Sequence, residues 1–221
     1  MQTKQHKPRP AGQTGFTMVE IAIVLVVIGL LLGGIFKGQE LINSAKVKNL
    51  AQDFRMTPMY IHAYQDKFRA LPGDDIRAQA HVCPAATPAC TTDGNADGSI
   101  GGAWDDDVAV GSEAVFFWQH IRLANLASGP TDTASANFLP LNSEGGRIGI
   151  QSGGAAAPLG VPGSYAICSA GISGKYARQL DNTLDDGDPE TGTLRAGATT
   201  AAAVTLAALD DGAVYVVCSG V

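Results

Sequence analysis

The oxygen-bearing residues of TDGNADGSIGGAWDDD, residues 92–107, have a spacing that suits a hard divalent cation. Asp93, Asn95, Asp97 and Ser99 stand at positions 1, 3, 5 and 7 of a loop, with Gly98 at 6 and Ile100 at 8, the first half of an EF-hand-type calcium loop. Alternate residues can converge their oxygens on one point, and glycine permits the sharp turn. Trp104 occupies position 12, where that loop carries a bidentate Glu. Asp105, Asp106 or Asp107 is left to complete the shell, so the expected calcium set is Asp93, Asn95, Asp97, Ser99 and Asp105. The competing reading is a Gly/Asp-rich turn without metal. A second acidic turn, LDNTLDDGDPETGTLR, holds Asp181, Asp185, Asp186 and Asp188; there an Asx-stabilised loop is favoured over calcium.

Nucleophilic and acid–base chemistry finds less support. No G-x-S-x-G elbow, H-E-x-x-H zinc pair or Gly-rich phosphate loop occurs. His62, His81 and His120 follow the first apolar segment, and His120, inside SEAVFFWQHIRLANLASG, reads as a structural partner on a mostly apolar helix. No catalytic residue is assigned, and the chain is not read as an enzyme. A formal charge of −6 disfavours nucleic acid, which requires a basic face.

One carboxylate is out of place. Phe16 to Phe36 is a 21-residue run in which only Thr17 and Glu20 are polar. As a helix it spans roughly 30 Å, about one hydrocarbon core. A carboxylate in lipid costs several kcal/mol unless it is neutralised or paired, and marks function by default. The bland alternative is that Glu20 snorkels at the interface. Lys4, Lys7 and Arg9 precede the run, which by the positive-inside bias leaves residues 1–15 in the cytoplasm and sends the rest across. No A-x-A cleavage site follows the run, so it is expected to be retained as the first half of one long helix.

Gly15-Phe16-Thr17-x-x-Glu20 before an apolar run, behind a basic leader, resembles the type IV prepilin signal shared by type IV pilins, minor pilins and type II secretion pseudopilins. The resemblance covers Gly15 to about Leu50. It implies a leader of residues 1–15 removed by a prepilin peptidase/methyltransferase after Gly15, and Phe16 as the new, N-methylated first residue. It also implies Glu20 as the assembly acid, which in a fibre can meet a neighbouring subunit's ammonium. Such pairing makes the buried charge tolerable and favours one axial register. The implied partners are other pilin or pseudopilin subunits and an inner-membrane assembly platform. The implied location is the bacterial inner membrane as a single-pass protein, and then a periplasmic or extracellular filament. Lys37 stands where many of these proteins have a proline just beyond the membrane segment, and Gly33, Gly34 and Gly38 can supply local softness instead. The expected role is a structural subunit of a type IV pilus or pilus-like filament. The alternatives are a type II secretion pseudopilin and, from another class, a membrane-tethered periplasmic binding module or hydrolase.

These residues must be held by a small set of elements. Val47, Leu50, Phe54, Ile61, Tyr64 and Phe68 recur at helical spacing, so residues 37–70 read as the amphipathic half of the first helix, kinked by Pro58 and ended by the Pro-Gly turn of LPGDD. Residues 71–221 read as a globular head. Within it Ser112 is expected to cap a helix whose Ala114, Phe117, Trp118, Ile121 and Ala124 share a face. RIGIQ, SYAICS, AVTLAAL and AVYVVCS are the strand candidates, and the matching Tyr-x-Ile/Val-Cys-Ser patterns of the second and fourth mark neighbours in one antiparallel sheet. The expected fold is therefore α+β and pilin-like, a long N-terminal helix with a transmembrane first half, packed on a small antiparallel sheet with loop insertions. Cys83, Cys90, Cys168 and Cys218 all lie on the translocated side, where disulfides form. Of three possible pairings, Cys83–Cys90 with Cys168–Cys218 is preferred; a bridge from the C-terminal strand to the head also resembles many pilins.

Overall fold

A computed structural model of the protein describes residues 15–87 and 90–221. The expected leader lies outside the described residues apart from Gly15. The chain divides into two compact units, one ending at Ile42 and the other spanning Asn43–Val221.

Helix α1, Met18–Phe68, contributes to both units. In the first unit its apolar side chains are exposed from Phe16 through Ile42. The most apolar window has a mean hydropathy of 2.8 with none of it buried, so by length and composition it can cross a membrane. A helix suits that setting because each backbone N–H finds its carbonyl within the same segment. From Asn43 onward α1 is one-sided. Val47, Leu50, Ala51, Phe54, Thr57, Ile61 and Tyr64 are buried, and Phe68 is half-buried. Thr57 fills the gap the apolar stripe leaves between Phe54 and Ile61. Its hydroxyl donates to the Asp53 carbonyl at 2.9 Å, which satisfies a polar group on the buried face. The helix continues through Pro58 as one element. It ends earlier than LPGDD, at Phe68, where Arg69 turns into the left-handed region at φ 58°.

The head is built on a four-stranded antiparallel sheet of order β1-β2-β4-β3, formed by β1 (Ile148–Ser152), β2 (Tyr165–Ser173), β3 (Leu194–Gly197) and β4 (Val214–Gly220). Three helices accompany it: α2 (Ala78–Val82), α3 (Glu113–Leu123) and α4 (Gly174–Leu184). Both sheet faces are covered, and the alternation of β2 shows how. Ile167 and Ile172 join Val217, Ile150, Phe117, Ile121, Leu180 and the α1 stripe in the main core. Ala166, Cys168 and Cys218 instead face a smaller cluster with Trp104, Leu159 and Val161. Successive side chains of a strand point to opposite faces, so one strand serves two cores. Cys168 and Cys218 are direct cross-strand partners and are disulfide-bonded; a second bridge joins Cys83 and Cys90.

Several sequence expectations need correction. AVTLAAL is not a strand. Residues Leu206–Ala208 form a single 3₁₀ turn, capped by Thr205, whose side chain accepts the Ala208 N–H, and the segment gives the sheet one backbone bond, from the Val204 N–H to the Ala196 carbonyl at 2.8 Å. Its place is taken by β3, Leu194–Gly197, paired to β4 from Leu194↔Ser219 to Gly197↔Val216. Helix α4 was not anticipated, although Tyr176, Ala177 and Leu180 bury one face. Ser112 sits before α3 with extended backbone, yet its hydroxyl makes no cap bond. Strand β2 also runs longer than SYAICS, through a bulge between Ser169 and Ile172, where Gly171 adopts φ +70°.

Candidate functional site

Gly15, Phe16 and Thr17 precede the helix in irregular conformation, and Phe16 is 84% exposed. The helix opens with a reciprocal pair. Thr17 Oγ1 accepts the Glu20 backbone N–H at 3.2 Å, while Glu20 Oε2 accepts the Thr17 backbone N–H and the Thr17 hydroxyl, each at 2.8 Å. This is a capping box, in which two N–H groups without helical partners are satisfied by side chains three residues apart. Thr17 is a participant that the reading of the sequence passed over, although T-x-x-E spacing was there to be seen. Glu20 therefore has partners within its own chain at the start of an otherwise apolar, exposed surface.

Residues 10–36 match the prokaryotic N-terminal methylation motif. The chain carries a prepilin-type signal. This signal is that of type IV pilins and pseudopilins, and the long apolar helix with a small antiparallel sheet agrees with the α+β pilin-like fold. The prepilin signal supports a processed, structural pilin- or pseudopilin-like subunit, and implies membrane anchoring, a prepilin peptidase and assembly with other pilins. No curated protein and no solved structure matches the chain.

Beyond the prepilin signal, the head presents two carboxylate groupings among the described residues. In the first, one oxygen each from Asp74, Asp97 and Glu113 lies within 4.8 Å of the others. Of the residues expected to bind calcium, Asp97 alone is in this group. Asp93 turns away to accept the Gln79 N–H at 2.8 Å, and the Ser99 hydroxyl donates to Ser152 Oγ at 2.9 Å. Asn95 Oδ1 accepts the Asp97 N–H at 2.8 Å, and the Asp105 carbonyl accepts from Arg147 Nη1 at 2.8 Å. Backbone donors engage the grouped carboxylates: Asp74 accepts from Asp97 and Gly98 at 3.1 and 2.9 Å, and Glu113 from Asn95 and Gly101 at 3.2 and 2.8 Å. Asp74 lies before the loop and Glu113 opens α3 after it, so the 1-3-5-7 spacing does not include them.

The second grouping is Asp181, Asp185 and Asp186, again with one oxygen each inside 4.8 Å. Asp181 Oδ1 accepts the Gly187 N–H at 2.8 Å. Asp181 is fully buried, and among the described residues its Oδ2 has no hydrogen-bond partner. Burial pushes its pKa up to about 6, opposed by the Gly187 N–H and reinforced by the charges of Asp186, Asp185 and Asp188.

The histidines of the head serve packing. His120 is buried, with Nδ1 accepting the Gly73 N–H at 2.9 Å and Nε2 facing the Thr92 carbonyl at 3.0 Å. The ring thereby fixes the turn after α1, where Gly73 adopts φ +93° and a Cβ would come within 2.6 Å of the Glu113 carbonyl oxygen. Burial lowers the His120 pKa, which favours the neutral ring. His81 Nδ1 lies 2.6 Å from Asp75 Oδ2, which also accepts the Tyr64 hydroxyl at 2.8 Å. Among the described residues, the cavity beside this pair, about 530 Å³, is lined by no Ser, Thr or Cys that could act as a nucleophile.

Proposed function

We propose that the chain is the precursor of a structural subunit of a type IV pilus or pilus-like filament. The observation that carries this reading is the coincidence of the methylation motif with the exposed apolar start of α1. A prepilin peptidase on the cytoplasmic side removes residues 1–15 and methylates Phe16. The new α-ammonium stands one turn from Glu20, whose capping bonds to Thr17 hold the carboxylate at the helix entrance. In the assembled bundle a neighbour's Phe16 ammonium meets Glu20. The pair replaces the water that each charge loses, so the axial register that brings the two together is selected. The head stays on the periplasmic or outer side, where its two disulfides persist. Lys37 in place of the early proline and the 15-residue leader favour a pilin-like or minor subunit over the major secretion pseudopilin.

The test is the intact mass and N-terminal sequence of membrane-extracted protein made with and without a prepilin peptidase. Loss of residues 1–15 with methylated Phe16, only when the peptidase is present, is the expected result. An uncleaved chain, or cleavage after the apolar run, returns the protein to the tethered or secreted class.

A further inference from the structure

We propose that the head cavity between α1 and α3 binds a small zwitterion, a free amino acid with an apolar side chain, its ammonium on Asp53 and its carboxylate on Arg122. Such a site does not depend on whether the chain enters a filament. The cavity has a volume of about 340 Å³, near the lower end of the range of small-ligand sites, roughly 300–1,000 Å³. Two opposite charges line it without meeting. Asp53, on α1, is half-buried, and burial alone pushes its pKa up to about 6, with no hydrogen bond or neighbouring charge among the described residues to lower it. Arg122, on α3, is 7% exposed, and burial lowers its pKa. Among the described residues, no carboxylate lies within 4.0 Å of its guanidinium.

Arg122 is held but not neutralised. Nη1 donates to the Pro130 and Phe138 carbonyls, and the guanidinium carbon lies 6.0 and 5.2 Å from the Trp118 and Phe138 ring centroids. Nε is buried without a partner among the described residues, and a Cβ at Gly129 would come within 2.7 Å of it, so Nη2 is the nitrogen left for an anion. Buried charges are ordinarily paired, and a guanidinium–carboxylate hydrogen bond is among the strong ones. A lone cation in the cavity would be repelled by Arg122 and a lone anion by Asp53, whereas a zwitterion gains at both ends. A neutral polyol would leave both charges unneutralised. Met56, Tyr60, Trp118, Leu141 and Ile148 supply the apolar and aromatic part of the wall, which suits a side chain such as that of leucine or methionine.

The test titrates the full chain, purified in detergent, with L-leucine, L-methionine and L-phenylalanine by calorimetry at pH 7.5, with protein-free micelles as the blank. At least one of the three is expected to bind saturably and to raise the melting temperature. The N-acetyl derivative of that amino acid lacks the ammonium and its amide lacks the carboxylate, and each should bind at least tenfold more weakly than the free form. Asp53→Asn should weaken the free amino acid at least tenfold and leave the N-acetyl derivative unchanged. The blocked ligands probe the Arg122 end without altering a buried side chain, so the test does not rest on an Arg122 variant that folds. The proposal is overturned if none of the three amino acids binds saturably, if either blocked form binds as tightly as the free one, or if Asp53→Asn binds the free amino acid like wild type.

Discussion

Residues 18–42 and 43–68 of α1 share one backbone geometry and differ in what their side chains meet. In the earlier stretch, as far as Phe36, apolar residues cover every side of the helix and remain exposed, with Ile28 and Leu31 at 46 and 61%. In the later stretch a stripe from Val47 to Tyr64 is buried and the other faces carry Lys, Asp, Gln and Arg. An all-round apolar helix calls for an apolar solvent or other helices, and an amphipathic one calls for a single packed partner surface. The stability of the head is therefore expected to rest on the second stretch, and the location and assembly of the subunit on the first.

Substitutions that act on one stretch and not the other sharpen that division. The largest effect is expected from Glu20→Ala, which should abolish incorporation into filaments, scored by electron microscopy or shearing, while the head melts as in wild type. Normal assembly of this variant breaks the proposed mechanism. Phe54→Ala removes a ring that is 5% exposed and should cost about 3–5 kcal/mol in denaturant unfolding of the head, whereas Ile28→Ala should change it by less than about 0.5 kcal/mol. Equal losses from the two would erase the distinction. Tyr64→Phe removes the hydroxyl bound to Asp75 and should cost about 1 kcal/mol, because Asp75 keeps His81 and the Arg77 N–H as partners.

The smallest effect is a pH slope. Asp53, half-buried on the later stretch, has its pKa pushed up by burial to about 6 from an ordinary value near 4. Its folded-state pKa lies above the unfolded one, so folding favours the protonated acid. Its contribution is therefore lost as pH rises from about 4 through 6 and is absent from the slope outside that window. Asp53→Asn should flatten unfolding stability across that range, measured as the difference between wild type and variant at each pH. An unchanged difference from pH 4 to 7 would show that Asp53 is solvated.

The order of legibility follows the range of the interactions. The apolar run, the prepilin pattern at Gly15, Phe16 and Glu20, the α1 stripe and the β2–β4 pairing are short-range signals written at fixed intervals, and a linear reading can see them. Thr17 belonged to the same class and was legible in the T-x-x-E spacing. Strand β3 was not, because four residues containing Arg195 and Gly197 acquire a strand's geometry only by pairing with β4. AVTLAAL shows the converse: it lies beside the outer edge of β3 and gives it one bond, from the Val204 N–H to the Ala196 carbonyl, before Leu206–Ala208 turn away as a 3₁₀ turn.

By itself, then, the sequence determined which segment is apolar enough for a membrane, which residues carry the processing signal, and that a small antiparallel sheet with cysteines in adjacent strands follows. Tertiary structure alone decided that Asp97 meets Asp74 and Glu113 while Asp93 and Ser99 turn to other partners, and that Asp181 loses both its solvent and a donor for one oxygen. The physical reason is that a side chain's periodicity is set by its own backbone. Its burial and hydrogen-bond partners depend on chain tens of residues away, and no local spacing encodes where that chain will be.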